Sequence, residues 1–191
     1  MNLDKKVFDM LCDYHSDEIQ NVALPGGTTS KFLFNAIEMS IKKKMNYRFL
    51  MTDERQVNTD SNQSNIGNYI RNVENFANSG FYNILSEKDK KIVERDQVDL
   101  AFLGFGLDGH FASIFSMDDF NNVSRNIIHT FNKEKQKRVS LSVKCLKKTK
   151  KTFIVYADYK KKEILKDDKR LLLINLFIKS MEKNIEVINY G

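Results

Sequence analysis

Hydrophobic residues gather in six short runs, Ile19–Leu24, Tyr47–Thr52, Val98–Phe105, Arg138–Val143, Thr152–Ala157 and Ile185–Asn189, mostly rich in Val, Ile, Leu and Phe and without strict alternation. Continuous apolar runs of this length predict strands covered on both faces. Between them the spacing becomes helical: Phe32, Leu33, Ala36, Ile37 and Ile41 recur on one side of the segment that contains them. The pattern predicts helices over Thr29–Lys43, Ser64–Ala77 and Asp167–Lys183, with Leu3–Tyr14 ahead of the first strand. Strands alternating with helices predict an α/β fold. We expect one domain over residues 1–191: a mainly parallel, doubly wound sheet with helices on both faces, a Rossmann-like three-layer sandwich. Ligands of such sheets bind at loops leaving the carboxyl ends of strands, so the chemistry is sought there.

Composition narrows the class. With 191 residues, 41% hydrophobic and 29% charged, the chain reads as a soluble globular protein. No apolar stretch approaches the roughly 18 residues of a membrane span, and the first residues show no signal-peptide pattern, so the cytosol is the expected compartment and no membrane partner is expected. Cys12 and Cys145 lie far apart, and His15, His110 and His129 show no ligand spacing. Neither a metal site nor a disulfide framework is expected. The net charge of +6 is uneven: residues 1–132 carry 14 Lys and Arg against 18 Asp and Glu, net −4, whereas residues 133–191 carry 17 against 7, net +10. Solvated lysines account for most such runs; an anionic partner is the sharper reading.

Three loops carry candidate chemistry. Leu24-Pro25-Gly26-Gly27-Thr28-Thr29-Ser30 follows a strand and opens a helix. Its glycines, hydroxyls and helix start make an anion cradle or a plain capped turn, and it lacks the Gly-Lys-Ser/Thr ending of a P-loop. Asp53-Glu54-Arg55 follows the second strand and could do acid–base work or form a surface ion pair. Gly104-Phe105-Gly106-Leu107-Asp108-Gly109-His110 matches G-x-G-x-x-G, yet the acidic residue expected about 20 positions on is missing around His129. An Asp-Gly-His turn at a strand end instead suits presentation of an imidazole, a usable base near neutral pH. Ser113 and Ser116 lie in no nucleophile elbow. Arg138 and the Lys160-Lys161-Lys162 run could each hold a phosphate.

These loops and their order resemble the 6-phosphogluconolactonase family, within the group that includes glucosamine-6-phosphate deaminases. The matching stretches are Leu24–Leu33, Thr52–Gly67, Asp99–Phe115, Arg138–Leu146 and Phe153–Leu165; the Gly-x-Gly-x-Asp-Gly-His-x-Ala-Ser-x-Phe stretch is the most specific. The resemblance implies hydrolysis of 6-phospho-D-glucono-1,5-lactone to 6-phosphogluconate without a cofactor. It makes His110 the general base with Asp108 beside it, and lets Gly26, Gly27, Thr28, Thr29, Arg138 and Lys161 (or Lys160, one register away) hold the sugar phosphate. It turns Arg55 toward the substrate and keeps Asp53, which resembles a proton-transfer aspartate of the deaminases. The chain is short for this family around Ser79–Gln97, a trimming that could remove a helix or part of the pocket wall. The deaminases place a glutamate five positions after the histidine, where this chain has Phe115. Beside the deaminase alternative stands a non-catalytic module binding sugar phosphate or nucleic acid; with no aromatic-studded basic strand, no nucleic-acid partner is expected. Oligomeric state is open.

Overall fold

The computed structural model describes residues 3–157, 159–166, 172–181 and 184–189. In chain order its elements are α1 (Leu3–Tyr14), β1 (Gln20–Leu24), a 3-10 turn (Gly27–Phe32), α2 (Phe34–Lys42), β2 (Tyr47–Met51), β3 (Asp53–Arg55), α3 (Asn65–Asn72), a second 3-10 turn (Phe76–Asn78), β4 (Phe81–Tyr82), α4 (Glu87–Arg95), β5 (Leu100–Leu103), α5 (Met117–Asn121), β6 (Ile127–Phe131), β7 (Lys137–Leu141), α6 (Val143–Lys147), β8 (Lys151–Tyr156), α7 (Tyr159–Lys166), α8 (Leu173–Ser180) and β9 (Ile185–Asn189).

Six strands form one sheet in the order β4-β2-β1-β5-β8-β9, every neighbouring pair parallel. The chain winds outward from β1 through β2 to β4, returns to β5 beside β1, and winds outward the other way. With right-handed crossovers, that reversal puts the connecting helices on opposite faces of the sheet, which is the expected doubly wound architecture. β1, β5 and β8 are almost wholly buried, consistent with their unbroken apolar runs. Stacked Phe102 and Phe153, 4.9 Å between ring centroids, tie β5 to β8, and Phe76 stacks on Phe49 and Tyr69 at 5.5 and 5.3 Å.

The run expected over Arg138–Val143 does not join that sheet. As β7 it sits in a second, antiparallel sheet, β3-β7-β6. Thr52 is the branch point: its N–H donates to the Leu24 carbonyl in the main sheet, and its own carbonyl accepts from Leu141 N–H in the small one, both at 2.8 Å. The Asp53-Glu54-Arg55 segment, expected to be a loop, is therefore a strand.

Helix boundaries differ for local reasons. The Thr29–Lys43 helix is split, because the segment opens as a 3-10 turn with Ser30 Oγ donating to the Gly27 carbonyl at 2.7 Å and turns α-helical only from Phe34. The Ser64–Ala77 helix stops at Val73, whose backbone is extended. Of the Asp167–Lys183 helix, α8 forms the described part; residues 167–171 and 182–183 lie outside the described residues. Ser79–Gln97, where the chain is short, holds both β4 and α4. α4 escapes the hydrophobic pattern because only Ile92 and Val93 are apolar; Ser86 caps it, and Glu87 and Asp89 occupy its first turn.

Candidate active site

β1 and β5 are neighbours that lead in opposite directions, so the loops leaving their carboxyl ends diverge and leave a crevice. The loop after β1 is Pro25–Thr29 and the loop after β5 is Gly104–His110. Between them lies a cavity of about 240 Å³ whose wall includes Gly26, Gly27, Thr28, Thr29, Asp53 and His110. Asn65 from the start of α3 and Lys161 from α7 complete it.

The histidine is built into a tight turn. Gly106 N–H donates to the His110 carbonyl at 2.8 Å, and Gly109 N–H to the Gly106 carbonyl at 3.0 Å. Gly109 has φ +83°, which favours glycine. At Gly106 a Cβ would stand 2.3 Å from His110 Cε1, so only glycine lets the imidazole fold back over the loop. His110 Nδ1 lies 2.5 Å from Asp108 Oδ1, and Lys133 Nζ lies 3.1 Å from Asp108 Oδ2. Partial burial would raise the Asp108 carboxyl; the His110 hydrogen bond and charge, with Lys133, outweigh it and hold the group at about 2, below its ordinary 3.8. An ionised Asp108 accepting from Nδ1–H leaves Nε2 as the proton-accepting nitrogen. Phe115 packs on the imidazole at 5.0 Å between centroids. Ala112, also in the cavity wall, adopts φ 46°, a strained conformation of the kind that clusters at functional sites.

The Gly26–Thr29 turn is held from two sides. Tyr69 OH donates to the Pro25 carbonyl at 3.1 Å, and Asn68 Nδ2 to Ser30 Oγ at 3.0 Å, both from α3. Thr29 is buried against Gly104, whereas Gly27 and Thr28 stay exposed.

The Asp53-Glu54-Arg55 triplet divides by strand alternation. Asp53 lies in the cavity wall and accepts from Ser113 Oγ at 2.7 Å. Glu54 points the other way and is fully buried; its carboxylate accepts from Arg55 N, Asn65 N and Ile66 N at 2.8 Å each and from Ser64 Oγ at 3.1 Å. It is the anionic cap of α3. Arg55 and Arg138 face each other across β3 and β7. Neither is in the wall of this cavity. Arg55 donates to the Gln63 carbonyl at 2.5 Å and to Asn65 Oδ1 at 3.2 Å, and Arg138 to Gln136 Oε1 at 3.0 Å. Burial and the neighbouring Arg55 charge push the Arg138 guanidinium down from its ordinary value, against Asp53, Glu134 and Glu54.

Of the lysine run, Lys161 lies in the cavity wall with Nζ 5.3 Å from the Phe105 ring centroid, and Lys160 is exposed outside it. The sequence reading missed Asn65, which donates to the Asp53 carbonyl at 2.8 Å, accepts from Arg55 and sits against Gly26. The one signal for it was position: it follows Ser64, whose side chain caps α3. Among the described residues, no group of three His, Cys, Asp or Glu side chains is placed to hold a metal, and no helix is long and apolar enough to cross a membrane.

A protein-family model described as glucosamine-6-phosphate isomerases/6-phosphogluconolactonase matches residues 5–170. A curated Caenorhabditis elegans protein, provisionally named a 6-phosphogluconolactonase, is 28% identical over 174 aligned residues, covering 76% of this chain. The chain spans 64% of that relative's length. Among solved structures, a 6-phosphogluconolactonase from Thermotoga maritima is 26% identical with TM-score 0.75, the match covering 97% of this chain and 93% of that one. The 6-phosphogluconolactonase of Leishmania guyanensis, 18% identical, has the same fold with TM-score 0.81 over 97% and 89% of the two chains.

Proposed function

The chain belongs to the glucosamine-6-phosphate isomerase/6-phosphogluconolactonase family, and from that premise we propose that it is a cytosolic 6-phosphogluconolactonase hydrolysing 6-phospho-D-glucono-1,5-lactone to 6-phosphogluconate. The observation that carries this reading is His110, paired with Asp108 and set in the wall of the same small cavity as the Gly26–Thr29 turn and Lys161.

A lactone is an activated ester, so catalysis reduces to holding it, deprotonating water and stabilising an oxyanion. His110 Nε2 takes a proton from water while the oxygen adds to C1. The tetrahedral adduct then collapses, the C1 to ring-oxygen bond breaks, and the imidazolium returns its proton to the departing ring oxygen. The product leaves as an open-chain acid. Asp108 fixes the imidazole tautomer and offsets the imidazolium charge. The phosphate is held by the N–H and hydroxyl groups of Gly26, Gly27, Thr28 and Thr29 with Lys161. Arg55 and Arg138 continue the face of β3 and β7 that begins at Asp53, and they meet the part of the substrate extending beyond the cavity. The same family contains a deaminase chemistry, and Asp53 in the wall suits a proton carrier. Phe115 against the imidazole, where the deaminases have glutamate, argues against it, because an aromatic ring moves no proton.

The test is hydrolysis of freshly generated lactone, measured above its spontaneous rate. Wild type should accelerate it, and His110→Ala should lose about 10²- to 10⁴-fold. Full activity in His110→Ala, or ammonia release from glucosamine 6-phosphate by the wild type, would sink the lactonase mechanism.

A further inference from the structure

A second concavity shares no lining residue with the first. It lies between α4 and the segment running from Asn122 into β6, with a volume of about 790 Å³. Four of its eleven lining residues are cationic, Lys90, Lys91, Arg95 and Arg125, with His129 beside them. Two carboxylates are present and both are engaged. Glu94 accepts from Asn126 N–H and Ile127 N–H, both at 2.9 Å, and Glu87 pairs with Lys90 at 2.8 Å. Among the described residues no carboxylate lies within ion-pairing distance of Lys91, Arg95 or Arg125. Three exposed cations, two of them guanidiniums able to fork onto phosphate oxygens, therefore ring one groove. Ile127 and Ile128 give it an apolar wall.

We propose that this groove is a second anion site and that it takes a nucleoside polyphosphate. One phosphate, with at most about two charges, would leave one of the three cations unanswered, whereas a chain of two or three phosphates matches Lys91, Arg95 and Arg125. The volume exceeds three times that of the cavity at the β1/β5 crevice, room for a ribose and base. The assignment stands independently of the lactonase reading.

Isothermal titration of the full chain with ATP, in EDTA and at low salt, tests it. One saturable site is expected. Lys91→Glu/Arg125→Glu should weaken it by at least about tenfold, and the milder Lys91→Gln/Arg125→Gln should shift it the same way. Lys161→Ala should bind ATP as wild type does, and inorganic triphosphate should bind more weakly than ATP. Circular dichroism should show every variant folded, since all three groove cations are exposed. No saturable heat, or a loss in Lys161→Ala without one in the groove variants, overturns the site. Triphosphate binding as tightly as ATP overturns the nucleoside assignment.

Discussion

At the residue scale, the proposed chemistry rests on the pair Asp108 and His110. Lowering the Asp108 carboxyl to about 2, from an ordinary 3.8, means that the folded state prefers the ionised form. The sign follows from linkage: a depressed acid contributes stability that is fully present above its unfolded value and is lost as pH falls through the folded one. The window is therefore about pH 4 to 2. The melting temperature of wild type should exceed that of Asp108→Asn at pH 5, and the gap should close as pH approaches 2. A gap that persists unchanged at pH 2 would mean that the charge is not what Asp108 contributes. Because Asp108 is 40% exposed, solvent screens the pair and the gap should be small. On the proposed mechanism its larger effect would be on rate, since asparagine cannot hold Nδ1–H as an ionised acceptor does.

At the scale of elements, the small sheet and α3 assemble the site. Strand β3 sends alternate residues to opposite sides, so Asp53 enters the cavity wall while Glu54 is buried under the start of α3. Glu54→Gln keeps the volume but replaces one accepting oxygen with a donor facing N–H groups. It should cost about 2–3 kcal/mol in urea unfolding. Because α3 carries Asn65 and the residues that hold the Gly26–Thr29 turn, KM for the lactone should rise as well. Unchanged stability would show that the cap is dispensable. None of this was legible in the triplet itself, which reads equally as loop acid–base groups or an ion pair. Burial of Glu54 follows from the pairing of β3 with β7, residues more than 80 positions apart in sequence.

Over the whole molecule, the charge of +6 is concentrated in residues 133–191. That third supplies β7, α7 and therefore Arg138 and Lys161. On the proposed function, a phosphorylated substrate approaching it would be steered by a field that salt screens beyond about 10 Å at 0.1 M. Raising ionic strength tenfold from about 0.05 M should lower kcat/KM several-fold through KM, with kcat nearly constant. A flat kcat/KM would confine the electrostatics to the bound state. Only the concavity at the β1/β5 crevice draws a cation, Lys161, from that third; the cations beside α4, Lys91, Arg95 and Arg125, come from the net-acidic part of the chain.

The sequence by itself determined what local pattern can encode. Unbroken apolar runs marked β1, β2, β5, β8 and β9 within a residue or a few of their observed ends, helical spacing marked α1, and the glycines around Asp108 and His110 marked a turn that presents an imidazole. It left α4 unseen, because a short charged helix advertises itself only through its cap. Only the tertiary structure decided strand order, and with it the crevice between β1 and β5 that brings loops about 80 residues apart to one cavity. It also decided that Asp53 lines that cavity while Glu54 caps a helix and Arg55 and Arg138 stand outside the wall. The reason is physical: turn and strand preferences depend on neighbouring residues. Which residues share a cavity depends instead on pairing between strands distant in the chain, and β3, three polar residues long, carries no hydrophobic signature to announce its partner.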